Sequence, residues 1–162
     1  MADDLKIDMA LSNIALGIKL QAEHCRRNSA PVTARIVQAQ IALMNSDTAV
    51  GRRIANWPGL PLEDAMPLRL AGGFHHLLLT GDDARLEPVY RGEITDQAAV
   101  DRIVAAVTAD HDDRLLQWFG SPPQTNEAGR SASFMAGLKW LSGRLGPRFE
   151  LNELGASAGI NT

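Results

Sequence analysis

The chain has 162 residues, 45% of them hydrophobic, and a formal net charge of -3 at pH 7. That is enough apolar material for one sizeable core. A mildly acidic chain with no basic run lacks the electrostatic footprint of a protein that binds phosphate backbones or anionic membranes. The lone Cys25 rules out an intrachain disulfide, and no apolar run approaches the ~20 residues of a membrane span. The opening Met1-Ala-Asp-Asp-Leu-Lys6 lacks the basic-then-apolar order of a signal peptide, so the expected location is the cytoplasm, with no nucleic acid and no membrane among the partners.

From about Leu11 to Leu145 the apolar spacing is helical, cut by Pro and Gly where helices should end. About six helices are expected. The first lies near Ser12–Asn28, and the second, near Pro31–Met44, starts on a Pro whose missing N–H costs least there. A third, near Asp47–Asn56, stops at Trp57-Pro-Gly59. The fourth, near Glu63–Thr80, carries Met66, Leu70, Phe74 and Leu77 on one face and Leu68, Ala71 and Leu79 on another, which predicts a central helix. A fifth, near Asp96–Ala109, presents Val100, Ile103, Val104 and Val107, and a short helix near Asp112–Phe119 precedes the break at Ser121-Pro-Pro123. The last, near Asn126–Leu145, sets Phe134, Leu138, Leu141 and Leu145 on one stripe.

Gly146-Pro147 ends that helix, and Arg148–Leu154 reads as the one strand. The expected fold is mainly α: a helical domain over residues 1–147, then, over 148–162, the first strand and Gly-rich loop of a truncated Rossmann-like α/β half. The strand's polar edge would lie open to pairing with a second chain, so a homodimer through residues 148–162 is the expected assembly.

The terminal Glu153-Leu-Gly155-Ala156-Ser157-Ala-Gly159 carries two chemistries. Read as acidic-x-Gly-x-Gly-x-Gly, with Ser157 in place of the middle Gly, it resembles the first motif of class I S-adenosylmethionine-dependent methyltransferases. Small residues there let the backbone approach the cofactor, and the acidic strand end accepts hydrogen bonds from it. Read as Gly155-x-Ser157-x-Gly159, it is the nucleophile elbow of α/β-hydrolases, with Ser157 attacking an acyl carbon. Against the elbow stand the absence of earlier strands, of an oxyanion-hole loop, and of the Asp and His that should follow the serine. A small-residue tail without a ligand is the plain alternative.

A short connection makes Arg148–Leu154 turn back along the last helix, travelling roughly 20 Å, or about fifteen helical residues. Glu153 then returns beside Pro122-Pro-Gln124-Thr125-Asn126-Glu127 and Arg130. In the functional reading, Gln124, Thr125, Asn126, Glu127 and Arg130 form a polar site wall. Alternatively they are a helix start, with Thr125 or Asn126 as N-cap and Arg130 paired with Glu127 or Glu153. Adjacent His75 and His76 project about 100° apart and read as core or interface residues rather than metal ligands. Asp110-His-Asp-Asp113 reads as a capping cluster, and Cys25 as a small core residue.

Five motifs together carry a family resemblance: Gln21-Ala-Glu-His-Cys25; Ala49-Val-Gly-Arg-Arg53 leading to Trp57-Pro; Pro67-Leu-Arg-Leu-Ala-Gly72; Pro122-Pro-Gln-Thr-Asn-Glu127; and Glu153-Leu-Gly-Ala-Ser-Ala-Gly159. On them the chain resembles an uncharacterised bacterial family, domain-of-unknown-function family 2332. The resemblance implies that the chain is the front part of a protein about twice as long, whose further half is methyltransferase-like; with the terminal loop read as a cofactor site, the helical part would shape its substrate entrance, and the alternative is a non-enzymatic helical interaction module. On the likeness of the terminal loop to the methyltransferase motif, S-adenosylmethionine is the expected cofactor of the intact protein. This piece is not expected to hold it tightly, because the ribose- and adenine-binding residues of later strands have no counterpart here. The resemblance assigns no catalytic residue, and no metal is expected.

Overall fold

The computed structural model describes residues 14–123 and 131–152. The chain divides into two compact units, Met1–Pro123 and Gln124–Thr162. Among the described residues there are eight α-helices and no strand.

In the first unit the helices are α1 (Ile14–Arg27), α2 (Pro31–Leu43), α3 (Ala49–Ala55), α4 (Met66–Leu79), α5 (Glu87–Tyr90), α6 (Gln97–Asp110) and α7 (Asp112–Leu116). Two 3-10 turns, Ala84–Leu86 and Gln117–Gly120, precede α5 and follow α7. Helix α2 packs chiefly against α1 and α6, and it also meets α3 and α4. Helix α4 lies against α2, α7 and both 3-10 turns, which is the central place its apolar content predicts.

The core confirms the face Met66, Leu70, Phe74 and Leu77, all at most 1% exposed, and joins to it Ile18, Ile36, Val37, Leu43, Ile54, Val100, Val104 and Val107. The second face expected of α4 is only half realised. Ala71 is buried and Leu68 partly so, whereas Leu79, in the last helical position, is 72% exposed.

Helix α4 also starts three residues later than the spacing suggests. A helix from Glu63 would put Pro67 in its fifth position, where a missing N–H breaks the ladder. Instead Leu60–Ala65 closes as a turn, with Asp64 N–H donating to the Leu60 carbonyl at 2.9 Å and Met66 N–H to Pro61 at 2.9 Å. Ala65 then sits left-handed at φ 51°, and Pro67 falls in the first helical turn, where it is tolerated. Buried Gln40 ties α2 to this start by donating from Nε2 to the Pro67 carbonyl at 2.8 Å, while its Oε1 has no partner in the structure.

The second unit holds α8 (Ser131–Leu145), which ends at Gly146 with φ +93°, a conformation that favours glycine. None of its residues is buried, and Phe134, Met135, Trp140 and Leu145 are exposed. Residues 148–152, the described part of the expected strand, carry no strand. An extended segment becomes a strand only by pairing, and the described residues offer no second strand to pair with. The remainder of that expected strand, and the start of the last helix, lie outside the described residues. No helix among the described residues is long and apolar enough to cross a membrane.

Candidate functional site

The residues expected to hold a cofactor, Glu153, Gly155, Ala156, Ser157 and Gly159, lie outside the described residues. So do the site-wall residues Gln124, Thr125, Asn126, Glu127 and Arg130. Within the first unit, side chains converge at two other places.

The first is built around Trp57, which follows α3. Its indole N–H donates to Asp64 Oδ2 at 2.8 Å, fixing the ring against the turn before α4. Gly59 is required for that contact, because a Cβ there would sit 2.0 Å from Asp64 Oδ2. Arg53 and Arg69 place their guanidinium carbons 5.2 and 5.7 Å from the indole centroid, and Phe119 approaches it at 5.6 Å with the rings tilted by 48°. Arg69 serves the structure through two hydrogen bonds. Its Nε donates to the Asp64 carbonyl at 2.7 Å and its Nη1 to the Phe119 carbonyl at 2.9 Å, joining α4 to the turn after α7. Beside this cluster opens a cleft of about 580 Å³, lined by Ala49, Arg52, Arg53 and Asn56 from α3 and its cap, and by Leu116, Gln117, Phe119 and Gly120.

The second is polar. Asp83, whose side chain is 5% exposed, receives Arg85 N–H at 3.1 Å, Arg85 Nε at 2.9 Å and Nη2 at 2.5 Å, and His111 Nε2 lies 3.1 Å from its Oδ2. Arg85 also reaches Asp110 at 2.7 Å, and Arg114 pairs with Asp82 at 2.8 Å. The Arg85 guanidinium holds the Asp83 carboxyl below the usual carboxylate range, and Asp83 with Asp110 raises the Arg85 pKa in return. These are satisfied ion pairs that fasten the loop before α5 to the end of α6.

The capping reading of Asp110-His-Asp-Asp113 is correct in kind, but the helix capped is a different one. Asp112 Oδ2 and Oδ1 accept from the backbone N–H groups of Ala49 and Val50 at 2.6 and 2.8 Å, so a carboxylate from α7 closes the N-terminus of α3. No spacing rule could reveal a cap 62 residues away. His75 and His76 are not core residues. Both are exposed, His75 stacked on Tyr90 at 5.2 Å and His76 tilted against Trp118 at 5.4 Å. Leucines at 77 and 78 take the inward positions of that stretch, which leaves the histidine pair outside. Cys25 is buried, as expected of a core thiol. Among the described residues no group of three or more His, Cys, Asp or Glu could hold a metal ion.

The arrangement missed by sequence reasoning is the Arg53–Trp57–Phe119 cluster. Its first two members stood in plain view in Ala49-Val-Gly-Arg-Arg53 and Trp57-Pro, but only the fold adds Phe119 and the cleft.

Fold and site thus define a mainly α-helical protein with a cationic and aromatic cleft. Over residues 17–162 the chain matches the family described as "Uncharacterized protein conserved in bacteria (DUF2332)" and belongs to it. No curated protein and no solved structure matches the chain. The family's function is unknown.

Proposed function

We propose that the chain is the helical N-terminal region of an S-adenosylmethionine-dependent, methyltransferase-like enzyme, with Glu153, Gly155, Ala156, Ser157 and Gly159 as the cofactor loop that opens a Rossmann-like half. The observation that carries this reading is α8. It is a 15-residue helix with Phe134, Met135, Trp140 and Leu145 exposed and no residue buried. A helix of that composition is suited to covering a sheet, and it is followed within eight residues by the acidic and glycine-containing segment that a cofactor loop requires. Glu153 would accept hydrogen bonds from the cofactor, and Gly155 and Gly159 would admit its approach. Gln124, Thr125, Asn126, Glu127 and Arg130 would form the polar wall beside the loop. S-adenosylmethionine, when bound, would supply a sulfonium-borne methyl group for an acceptor nucleophile, which would give up its proton. A cytoplasmic location accords with the single buried thiol.

The same exposed helix favours a second reading, a non-enzymatic helical interaction module that pairs with another chain, including its own copy through residues 148–162. A hydrolase with Ser157 as nucleophile ranks third.

Calorimetric titration of S-adenosylmethionine into this chain, and into the chain joined to the proposed Rossmann-like half, separates the readings. Heat from the longer protein alone, abolished by Glu153→Ala, is the expected result. Silence from both, with the longer protein folded, would favour the interaction module. Labelling of Ser157 by an active-site serine reagent would favour the hydrolase.

A further inference from the structure

We propose that the cleft between α3 and the turn after α7 binds a small organic anion, a carboxylate or phosphate carried on an apolar body, with Arg52 and Arg53 as its receptors. This site is independent of the cofactor reading, since it is built wholly from residues 49–120.

Neither arginine is paired with a carboxylate; the same holds for Arg35, Arg69, Arg102, Arg144 and Arg148 among the described residues, but only Arg52 and Arg53 line this cleft. Arg85, Arg91 and Arg114 each meet a carboxylate, as do Arg26 and Arg27 at Glu23. Arg52 and Arg53, neighbours on one cleft, meet none among the described residues. Helix capping does not account for them either. The Arg52 carbonyl at the end of α3 already accepts from Asn56 N–H at 3.1 Å and from Asn56 Nδ2 at 2.9 Å, and the Ile54 carbonyl from Trp57 N–H at 3.2 Å.

Arg53 is also pre-positioned. A guanidinium laid on an aromatic face is held through that face while its N–H edges stay available in plane for two parallel hydrogen bonds to a carboxylate or phosphate. Trp57, anchored by Asp64, supplies the face. Arg52 spends one N–H on the Asp47 carbonyl at 2.5 Å, which fixes its stem and leaves its other donors. Asp112 of α7, the acid that meets α3, is committed to the Ala49 and Val50 N–H groups and does not line the cleft. Leu116, Phe119 and Ala49 make the remaining wall apolar, and Gln117 and Asn56 add amides. Such a lining selects an anion with a hydrophobic body over a bare ion.

The test is a nitrogen-15 NMR titration of the chain with phenyl phosphate, benzoate, inorganic phosphate and neutral benzyl alcohol, following the arginine Nε–H and Gln117 amide signals. Saturable shifts with phenyl phosphate or benzoate, the tighter of the two naming the head group, are expected. Inorganic phosphate should bind more weakly. Affinity should fall at least about tenfold in Arg53→Gln and stay unchanged in Arg102→Gln, on α6. Arg52→Gln serves the same purpose should Arg53→Gln fail to fold. Equal binding of benzyl alcohol, no saturation with any anion, or equal loss in Arg102→Gln would overturn the proposal.

Discussion

Asp83 is the residue on which most of the polar fastening converges. Its carboxylate is depressed in the fold, chiefly by the Arg85 guanidinium. A depressed carboxyl contributes stability that is present above its unfolded pKa of about 3.9 and lost as pH falls through the folded value. Asp83→Asn keeps the cap on Arg85 N–H but removes the charge. Because Arg85 is 42% exposed, the loss at neutral pH should be about 1 kcal/mol rather than the larger figure of a sealed pair. Urea denaturation at pH 7 and at pH 3 checks this: the gap between native and variant proteins should be widest at pH 7 and should shrink towards pH 3. A gap that widens on acidification would place the Asp83 interaction elsewhere. Asp112 illustrates how a residue can be read correctly in type and still be missed in role. An acid preceding a helix is a sound N-cap candidate, yet its carboxylate serves the N–H groups of Ala49 and Val50 on another helix.

The elements were largely legible because their signals are local. Helices α1, α2, α3 and α6 lie within about two residues of their expected bounds, and their stops coincide with Pro, Gly or a cap. What the sequence could not show depends on contacts. The four-residue α5 and the 3-10 turn before it are too short for a periodic signal, and they are organised by Asp83 and by buried Leu86 and Val89. Trp118 against Gly73 is likewise a tertiary fact, since a Cβ at Gly73 would approach its ring at 3.0 Å. Helix α3 provides the sharpest test at this scale. A Cβ at Gly51 would lie 2.3 Å from the Leu43 carbonyl and 2.3 Å from Ser46 Oγ, so α3 approaches the end of α2 as closely as a glycine allows. Gly51→Ala should destabilise the first unit by about 1–3 kcal/mol and, by displacing α3, weaken anion binding in the cleft. Thermal unfolding with the phenyl phosphate titration checks both. An unshifted melting temperature would show that the two helices separate without cost.

At the scale of the whole molecule, helix content and core were readable from composition and spacing, but the two proposed functional regions were not equally so. The loop from Glu153 to Gly159 carries a motif, and its reading as a cofactor site rests on that motif and on α8. The cleft beside Trp57 carries no motif for ligand binding, and only the fold brings Phe119 from the far end of the unit to α3. The proposed function gives α8 the task of docking on the Rossmann-like half. The most direct check is hydrogen exchange across α8, measured in this chain and in the chain joined to the proposed Rossmann-like half. Slow exchange of residues 131–145 in the longer protein and fast exchange in this chain is the predicted result, since a helix that buries nothing opens readily. The same fast exchange in both, with the longer protein folded, would contradict the assignment of α8 as the helix that docks on that half.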